Sequence, residues 1–170
     1  MKKTFKFALG AAALLIAAKG LDNRIEVTYY NVASPKIPHK FNDFKIAHIS
    51  DYHNDPTPGL ISEIKASNPD IIVMTGDMTH DKCGSYLPAL ELIKRLVKTA
   101  PCYIVSGNHD IWRNDYPEFV SDCRNAGATF LQNETVPINR GEAEILISGM
   151  EDVFSKVRSR QKIMQYLKNF

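Results

Sequence analysis

Cysteine is scarce in this sequence, and the few cysteines present are scattered. The 170 residues contain three, Cys83, Cys102 and Cys123, with no Cys-x-x-Cys pair among them. An odd number of isolated cysteines argues against a disulfide framework and against a thiolate zinc site. The missing Cys-x-x-Cys spacing also argues against a thioredoxin-type redox role. Neither structural zinc nor thiol chemistry is therefore expected.

The chain also lacks a strong excess of either charge. Its formal net charge is +2, whereas a surface that follows a nucleic-acid backbone usually shows a clear basic excess. No nucleic-acid partner is therefore expected. The sequence has no Gly-x-Gly-x-x-Gly after its first apolar strand, which argues against a dinucleotide-binding domain. Its length suits one domain with a hydrophobic core.

The apolar run near the start of the chain is short for a membrane span. From Phe7 to Ala18 it has about a dozen residues, whereas a membrane-spanning helix needs roughly twenty. A basic cluster precedes the run and small residues follow it, which is the layout of a secretory signal. Residues 1–20 are therefore predicted to be a signal peptide or an uncleaved N-terminal membrane anchor, with the domain outside the cytoplasm. Both alternatives stay open because Lys19 lies within the predicted cleavage site.

The rest of the chain alternates between apolar strand-like segments and helical ones. Residues 21–43 predict an N-terminal strand, Ile25 to Val32, and a proline-punctuated link. Strands are then predicted at 44–50, 70–75, 101–106, 128–131 and 144–148, and helices at 60–66, 87–98, 117–125 and 154–170. This alternation is typical of an α/β fold with a mostly parallel sheet covered on both faces. Right-handed crossovers bring the carboxyl ends of the strands to one edge, where open α/β sheets bind ligands.

Metal-ligand residue types follow three of these strands directly. They are Asp51 and His53 after the first strand, Asp77 after the second, and Asn108, His109 and Asp110 after the third. Carboxylate, imidazole and amide oxygen are ligands for Mn²⁺, Fe or Zn²⁺. In Asp51-x-His53 the one-residue gap on an extended segment sends both side chains to the same side. The two oxygens of Asp77 suit it to bridge two ions, which together can hold a hydroxide and phosphoryl oxygens for in-line displacement.

These motifs resemble those of the calcineurin-like metallophosphoesterases, especially the bacterial membrane-associated branch. The resemblance runs from about Phe44 to Met150 and implies that residues 44–170 form the N-terminal half of a four-layer α-β-β-α sandwich. It implies two divalent metal ions (Mn, Fe or Zn) and the following roles. Asp51 and His53 bind the first metal, Asp77 bridges, Asn108 binds the second, His109 contacts the phosphate and assists the leaving group, and Asp110 orients His109.

The resemblance further implies the hydrolysis of a phosphomonoester, phosphodiester or pyrophosphate by a metal-bridged hydroxide. The membrane-associated branch suggests small phosphate esters or lipid-linked phosphates as substrates, and contact with a membrane surface through the N-terminal segment. Ordinary structural roles are expected for His80 and Asn54, although both lie close enough in sequence to reach the site.

The sequence departs from the family pattern in its C-terminal half. The family completes its site there with further histidines, usually in a Gly-His-x-His motif on a second sheet, but here no histidine follows His109. The sequence therefore predicts a truncated domain with impaired activity, in which the second face of the parallel sheet lacks a cover. The alternative is a non-catalytic remnant that keeps an α/β domain and a weak metal site.

Overall fold

A parallel sheet of four strands, in the order β1-β2-β3-β4, forms the centre of the computed structural model, which describes residues 25–82 and 84–151. The strands are β1 Ile46–Ile49, β2 Ile71–Thr75, β3 Cys102–Val105 and β4 Thr129–Phe130. Each strand pairs in parallel with its neighbours. The prediction of an α/β fold with a mostly parallel sheet is confirmed.

Helices connect the parallel strands. They are α1 Leu60–Ser67 between β1 and β2, α2 Leu87–Leu96 between β2 and β3, and α3 Asn108–Ile111 with α4 Tyr116–Asn125 between β3 and β4. Asn68 ends α1 in the left-handed conformation, with φ 48°, which asparagine tolerates at helix ends. Pro88 and Pro117 lie in the first turns of α2 and α4, where the missing N–H costs no helical hydrogen bond.

The helices pack on one face of the sheet. Because strand side chains alternate between faces, Ile72 and Met74 of β2 point to the same side as Ile104 of β3. Their buried cluster with α2 and α4 includes Ile93, Leu96 and Phe119. This core holds the helices against the sheet and so fixes the positions of the loops at its carboxyl edge.

An antiparallel hairpin covers the other face. It consists of β5 Glu134–Arg140 and β6 Ala143–Gly149. Apolar residues of the central strands, of the hairpin and of the segment before β1 form one cluster, which comprises Phe41, Phe44, Ile71, Val73, Tyr103, Ile138, Ala143, Ile145 and Ile147. The expectation of an uncovered second face is therefore wrong. Sequence analysis missed β5 because Pro137 lies between its two apolar residues, Val136 and Ile138, and a proline argues against a strand.

Three other sequence predictions differ from the structure or lie outside the described residues. The predicted strand from Ile25 to Val32 is not a strand in the structure: it pairs with no strand of the described residues, and Tyr29 and Tyr30 are exposed. A strand needs a hydrogen-bonding neighbour as well as residues that favour it. The predicted N-terminal signal or anchor and the predicted helix at 154–170 lie outside the described residues. Within residues 25–82 and 84–151, no helix is long and apolar enough to cross a membrane.

Candidate metal centre

Backbone hydrogen bonds join the loop after β1 to the loop after β2. They run from Asp51 N–H to Gly76 O (3.2 Å), from His53 N–H to Asp77 O (3.0 Å) and from Asn54 N–H to Met78 O (3.1 Å). The pairing of β1 with β2 is thus extended beyond the strands themselves. As a result, the side chains of the two loops lie next to each other at the carboxyl edge of the sheet.

These loops hold several residues in the left-handed conformation. The φ angles are 54° at Asp51, 49° at His53, 59° at Asn54 and 51° at Asp77. Such backbone conformations cost non-glycine residues roughly 1–3 kcal/mol each and cluster at functional sites. Three of the predicted metal ligands are among these four residues, so the strain coincides with the predicted site.

Two glycines allow the loops after β2 and β3 to touch. Gly76 has φ 102°, and a Cβ placed on it would lie 2.6 Å from the backbone nitrogen of Gly107. A Cβ on Gly107 would lie 2.5 Å from the backbone nitrogen of Asp77. Because backbone atoms are among the obstructing atoms at both positions, side chains there would force the loops apart. Their close approach lets the His109 N–H donate to Asp77 Oδ1 at 2.9 Å.

The predicted ligands Asp51, His53 and Asp77 converge at this edge. One ligand atom from each lies within 4.8 Å of the others, and His53 Nε2 is 3.8 Å from Asp51 Oδ1. Since ligand bonds to Zn²⁺ are about 2.0–2.2 Å long, two ligands of one such ion lie no more than about 4.4 Å apart. Asn108 begins α3 directly after Gly107, at the same edge. The donor types therefore suit a divalent ion, and the distance between His53 and Asp51 lies within that limit.

The imidazole of His53 also has an unused buried nitrogen. Its Nδ1 is inaccessible to solvent and has no hydrogen-bond partner within the described part of the chain. A buried nitrogen without a partner carries an energetic cost, which binding of a ligand to this ring nitrogen would remove.

The predicted catalytic residue His109 has a carboxylate partner that sequence analysis missed. Its Nδ1 lies 2.7 Å from Asp81 Oδ1, and this hydrogen bond is the main cause that lowers the pKa of Asp81. A carboxylate at Nδ1 fixes the tautomer and the orientation of the ring. The sequence signal was weak, since Asp81 lies outside the three motifs.

The prediction that Asp110 orients His109 is wrong. Asp110 is 1% exposed and accepts hydrogen bonds from the backbone N–H of Thr79 (2.8 Å), from its hydroxyl (2.8 Å) and from the N–H of Gly107 (3.0 Å). Burial raises the pKa of the Asp110 carboxyl, while these hydrogen bonds oppose the rise. Asp110 therefore ties the loop after β2 to the loop after β3.

Two residues with weaker sequence signals also lie at this edge. His80 joins His53 and His109 in a second group of potential ligands. Asn54 instead serves the scaffold, because its Nδ2 donates to Ser85 O at 3.1 Å and its Oδ1 accepts from the Ala89 N–H at 3.3 Å. These bonds link the Asp-x-His loop to the start of α2.

Comparison with known proteins agrees with this geometry. The sequence model of the calcineurin-like phosphoesterase family matches residues 44–162. The chain belongs to that family. Membership accounts for the placement of Asp-x-His, Gly-Asp and Gly-Asn-His-Asp at three successive strand ends, and it confirms the resemblance at the level of the family.

Relatives of this phosphoesterase domain include proteins named for a membrane location. The chain is 24% identical over 155 residues to the transmembrane protein with metallophosphoesterase domain of Danio rerio, covering 84% of this chain and 36% of that protein. The Bos taurus protein of the same name is 25% identical over 177 residues, covering 92% and 40%. The uncharacterized metallophosphoesterase YkuE of Bacillus subtilis is 35% identical over 94 residues, covering 51% and 33%. The chain thus spans well under half the length of these relatives.

Proposed function

We propose that this domain binds divalent metal through Asp51, His53, Asp77 and Asn108 and hydrolyses phosphate esters. The observation that carries the proposal is the convergence of Asp51, His53 and Asp77 within 4.8 Å, on strained loops in a chain of the phosphoesterase family. Bound divalent ions supply Lewis acidity toward phosphoryl oxygens and lower the pKa of water.

His109 would act on the leaving group. With Nδ1 donating to Asp81 at 2.7 Å, Nε2 carries a transferable proton only when the ring is the imidazolium, and it is in that form that His109 would act as the acid. The side chain of His109 is 26% exposed, so a substrate can reach it. Asp77 is held next to it, since its Oδ1 accepts the His109 N–H. The leaving oxygen of a phosphate ester would take its proton from Nε2.

The number of metal ligands affects the expected rate of hydrolysis by the 170-residue polypeptide. The four proposed metal ligands would serve two ions, whereas a catalytic zinc ion takes about three protein ligands. We infer that this polypeptide alone holds one ion more tightly than the other and that its turnover is slow. The substrate is proposed to be a small phosphate ester or a lipid-linked phosphate, because two of the relatives are named as transmembrane proteins.

Replacing Asp77 with asparagine is expected to weaken Mn²⁺ binding by more than about tenfold, the lower bound for loss of a group that only supports a metal ligand. The amide oxygen can still accept the His109 N–H, so the loops stay together while the charge at the site is lost. Calorimetric titration with Mn²⁺ measures the effect. Asp43→Asn is a matched control, because Asp43 also has a positive φ (59°) but precedes β1 at the opposite edge. Equal affinities in wild type and Asp77→Asn would reject this metal site.

We also propose that the domain lies outside the cytoplasm and is attached to or released from a membrane. The basic start with its short apolar run and the names of the relatives support this. A reporter phosphatase that is active only after export, fused after Val32 and expressed in bacteria, is expected to be active. A reporter without the first twenty residues is the control and should be inactive. If the fusion with the complete N-terminus is inactive and stays in the cytosol, the proposed location is wrong.

A further inference from the structure

Three histidine rings meet at the carboxyl edge of the sheet. The ring centroids are 4.6 Å apart for His80 and His109, 5.0 Å for His53 and His109, and 5.4 Å for His53 and His80. One nitrogen of each ring lies within 4.8 Å of the corresponding nitrogens of the other two. The side chains are 26–32% exposed. Solvent and ions can therefore reach a cluster that is otherwise enclosed.

Asp81 lies behind two of these rings. Its Oδ1 is 2.7 Å from His109 Nδ1 and 3.3 Å from His80 Nδ1. The Lys82 N–H also donates to His80 Nδ1 at 3.1 Å, so a metal at His80 Nε2 requires the ring proton to move to Nδ1, whereas His109, with Nδ1 donating to Asp81, leaves Nε2 for another ligand. A carboxylate that accepts a proton from the second nitrogen of a histidine is the usual support of a metal-bound imidazole.

We propose that His53, His80 and His109 form a three-imidazole site for Zn²⁺, with Asp81 orienting the ring of His109. Imidazole suits Zn²⁺, whereas carboxylate favours harder ions such as Mn²⁺. Three histidines with one open position are also a known zinc arrangement. The site differs from the Asp51, His53 and Asp77 group because it uses no carboxylate as a ligand.

The two groups compete for His53, which belongs to both. A neutral imidazole has one nitrogen lone pair free for a metal, because its other nitrogen carries the proton. Zn²⁺ at the three imidazoles therefore removes His53 from the carboxylate group and occupies His109 as a ligand. Zn²⁺ is expected to inhibit Mn²⁺-dependent hydrolysis. This consequence rests on the proposed function, whereas the zinc site itself does not.

Zinc titration of the full chain tests the site directly. His80→Gln is expected to weaken Zn²⁺ binding by more than about tenfold, with Mn²⁺ affinity changed less than about twofold. Asp77→Asn should have the opposite effect: it should weaken Mn²⁺ binding and leave Zn²⁺ affinity nearly unchanged. His39→Gln is the matched control, since His39 is exposed and precedes β1. All variants carry Cys83→Ser, so that a thiolate does not contribute, and thermal melting monitored by circular dichroism identifies any that fail to fold.

Co²⁺ absorption gives a readout independent of affinity. A folded wild-type chain should show the intense visible bands of four-coordinate Co²⁺, and His80→Gln should lose them.

Unchanged Zn²⁺ affinity in folded His80→Gln would overturn the proposal, and so would loss of Zn²⁺ binding on Cys83→Ser alone. Should His80→Gln not fold, Asp81→Asn replaces it, with an expected loss of about 10–100-fold in Zn²⁺ affinity. Unchanged affinity in that variant would equally overturn the site. Failure of hydrolysis with any metal would reject the proposed function and leave these binding results unaffected.

Discussion

Replacing His109 with alanine is expected to lower Mn²⁺-dependent hydrolysis of an aryl phosphodiester by about 10²–10⁴-fold, the usual contribution of a general acid. The ring is held by Asp81 at Nδ1, so that as an imidazolium it can deliver its Nε2 proton to the leaving oxygen. The backbone N–H that donates to Asp77 remains in the variant. Mn²⁺ affinity should therefore change much less than the rate.

Steady-state rates together with Mn²⁺ titrations separate the two effects. Asp81→Asn should give a smaller loss of rate and a shifted pH profile, because the ring keeps its place while its basicity falls. His39→Ala is the control and should match wild type. An unchanged rate in His109→Ala would remove His109 from the mechanism. Mn²⁺ binding by wild type without any turnover would instead identify a non-catalytic metal-binding domain.

Replacing Asp110 with alanine is expected to lower the free energy of unfolding by roughly 2–5 kcal/mol, since buried donors that lose a charged acceptor cost about this much. The N–H groups of Thr79 and Gly107 and the Thr79 hydroxyl would lose their acceptor. Thr79 is fully buried, so water does not easily replace the carboxylate. The loops after β2 and β3 would separate, and metal affinity should fall with stability.

Denaturant unfolding followed by circular dichroism measures this change. The free energy of unfolding of Asp110→Asn should lie between those of wild type and Asp110→Ala. One oxygen remains as an acceptor in that variant, while the new amide N–H₂ faces a donor. Asp55→Ala is the control and should lie within about 0.5 kcal/mol of wild type, since Asp55 is exposed and such surface changes are small. A fully stable Asp110→Ala would show that Asp110 does not hold the loops together.

Most of the parallel sheet could be predicted from the sequence. Buried strands of a parallel sheet are nearly continuously apolar, which makes β2 and β3 stand out, while β1 is an apolar segment interrupted by His48. The parallel direction of these strands decides which loops share an edge. The hairpin was harder. Alternation is visible in β6, but in β5 Pro137 lies between Val136 and Ile138, and its pairing with β6 depends on contacts with the parallel sheet.

The convergence of Asp51, His53 and Asp77 also followed from the sequence, because strand direction alone brings these residues to one edge. Which carboxylate serves His109 was decided only by the tertiary structure. His109 and Asp110 are neighbours in α3, and successive helical residues are rotated by about 100°, so one points to the site and the other into the core. Asp81 and His80 come from a separate loop, whose path depends on the hydrogen bonds to Asp110. No local sequence pattern predicts the path of this loop, and that path is what places His80 and Asp81 beside His109.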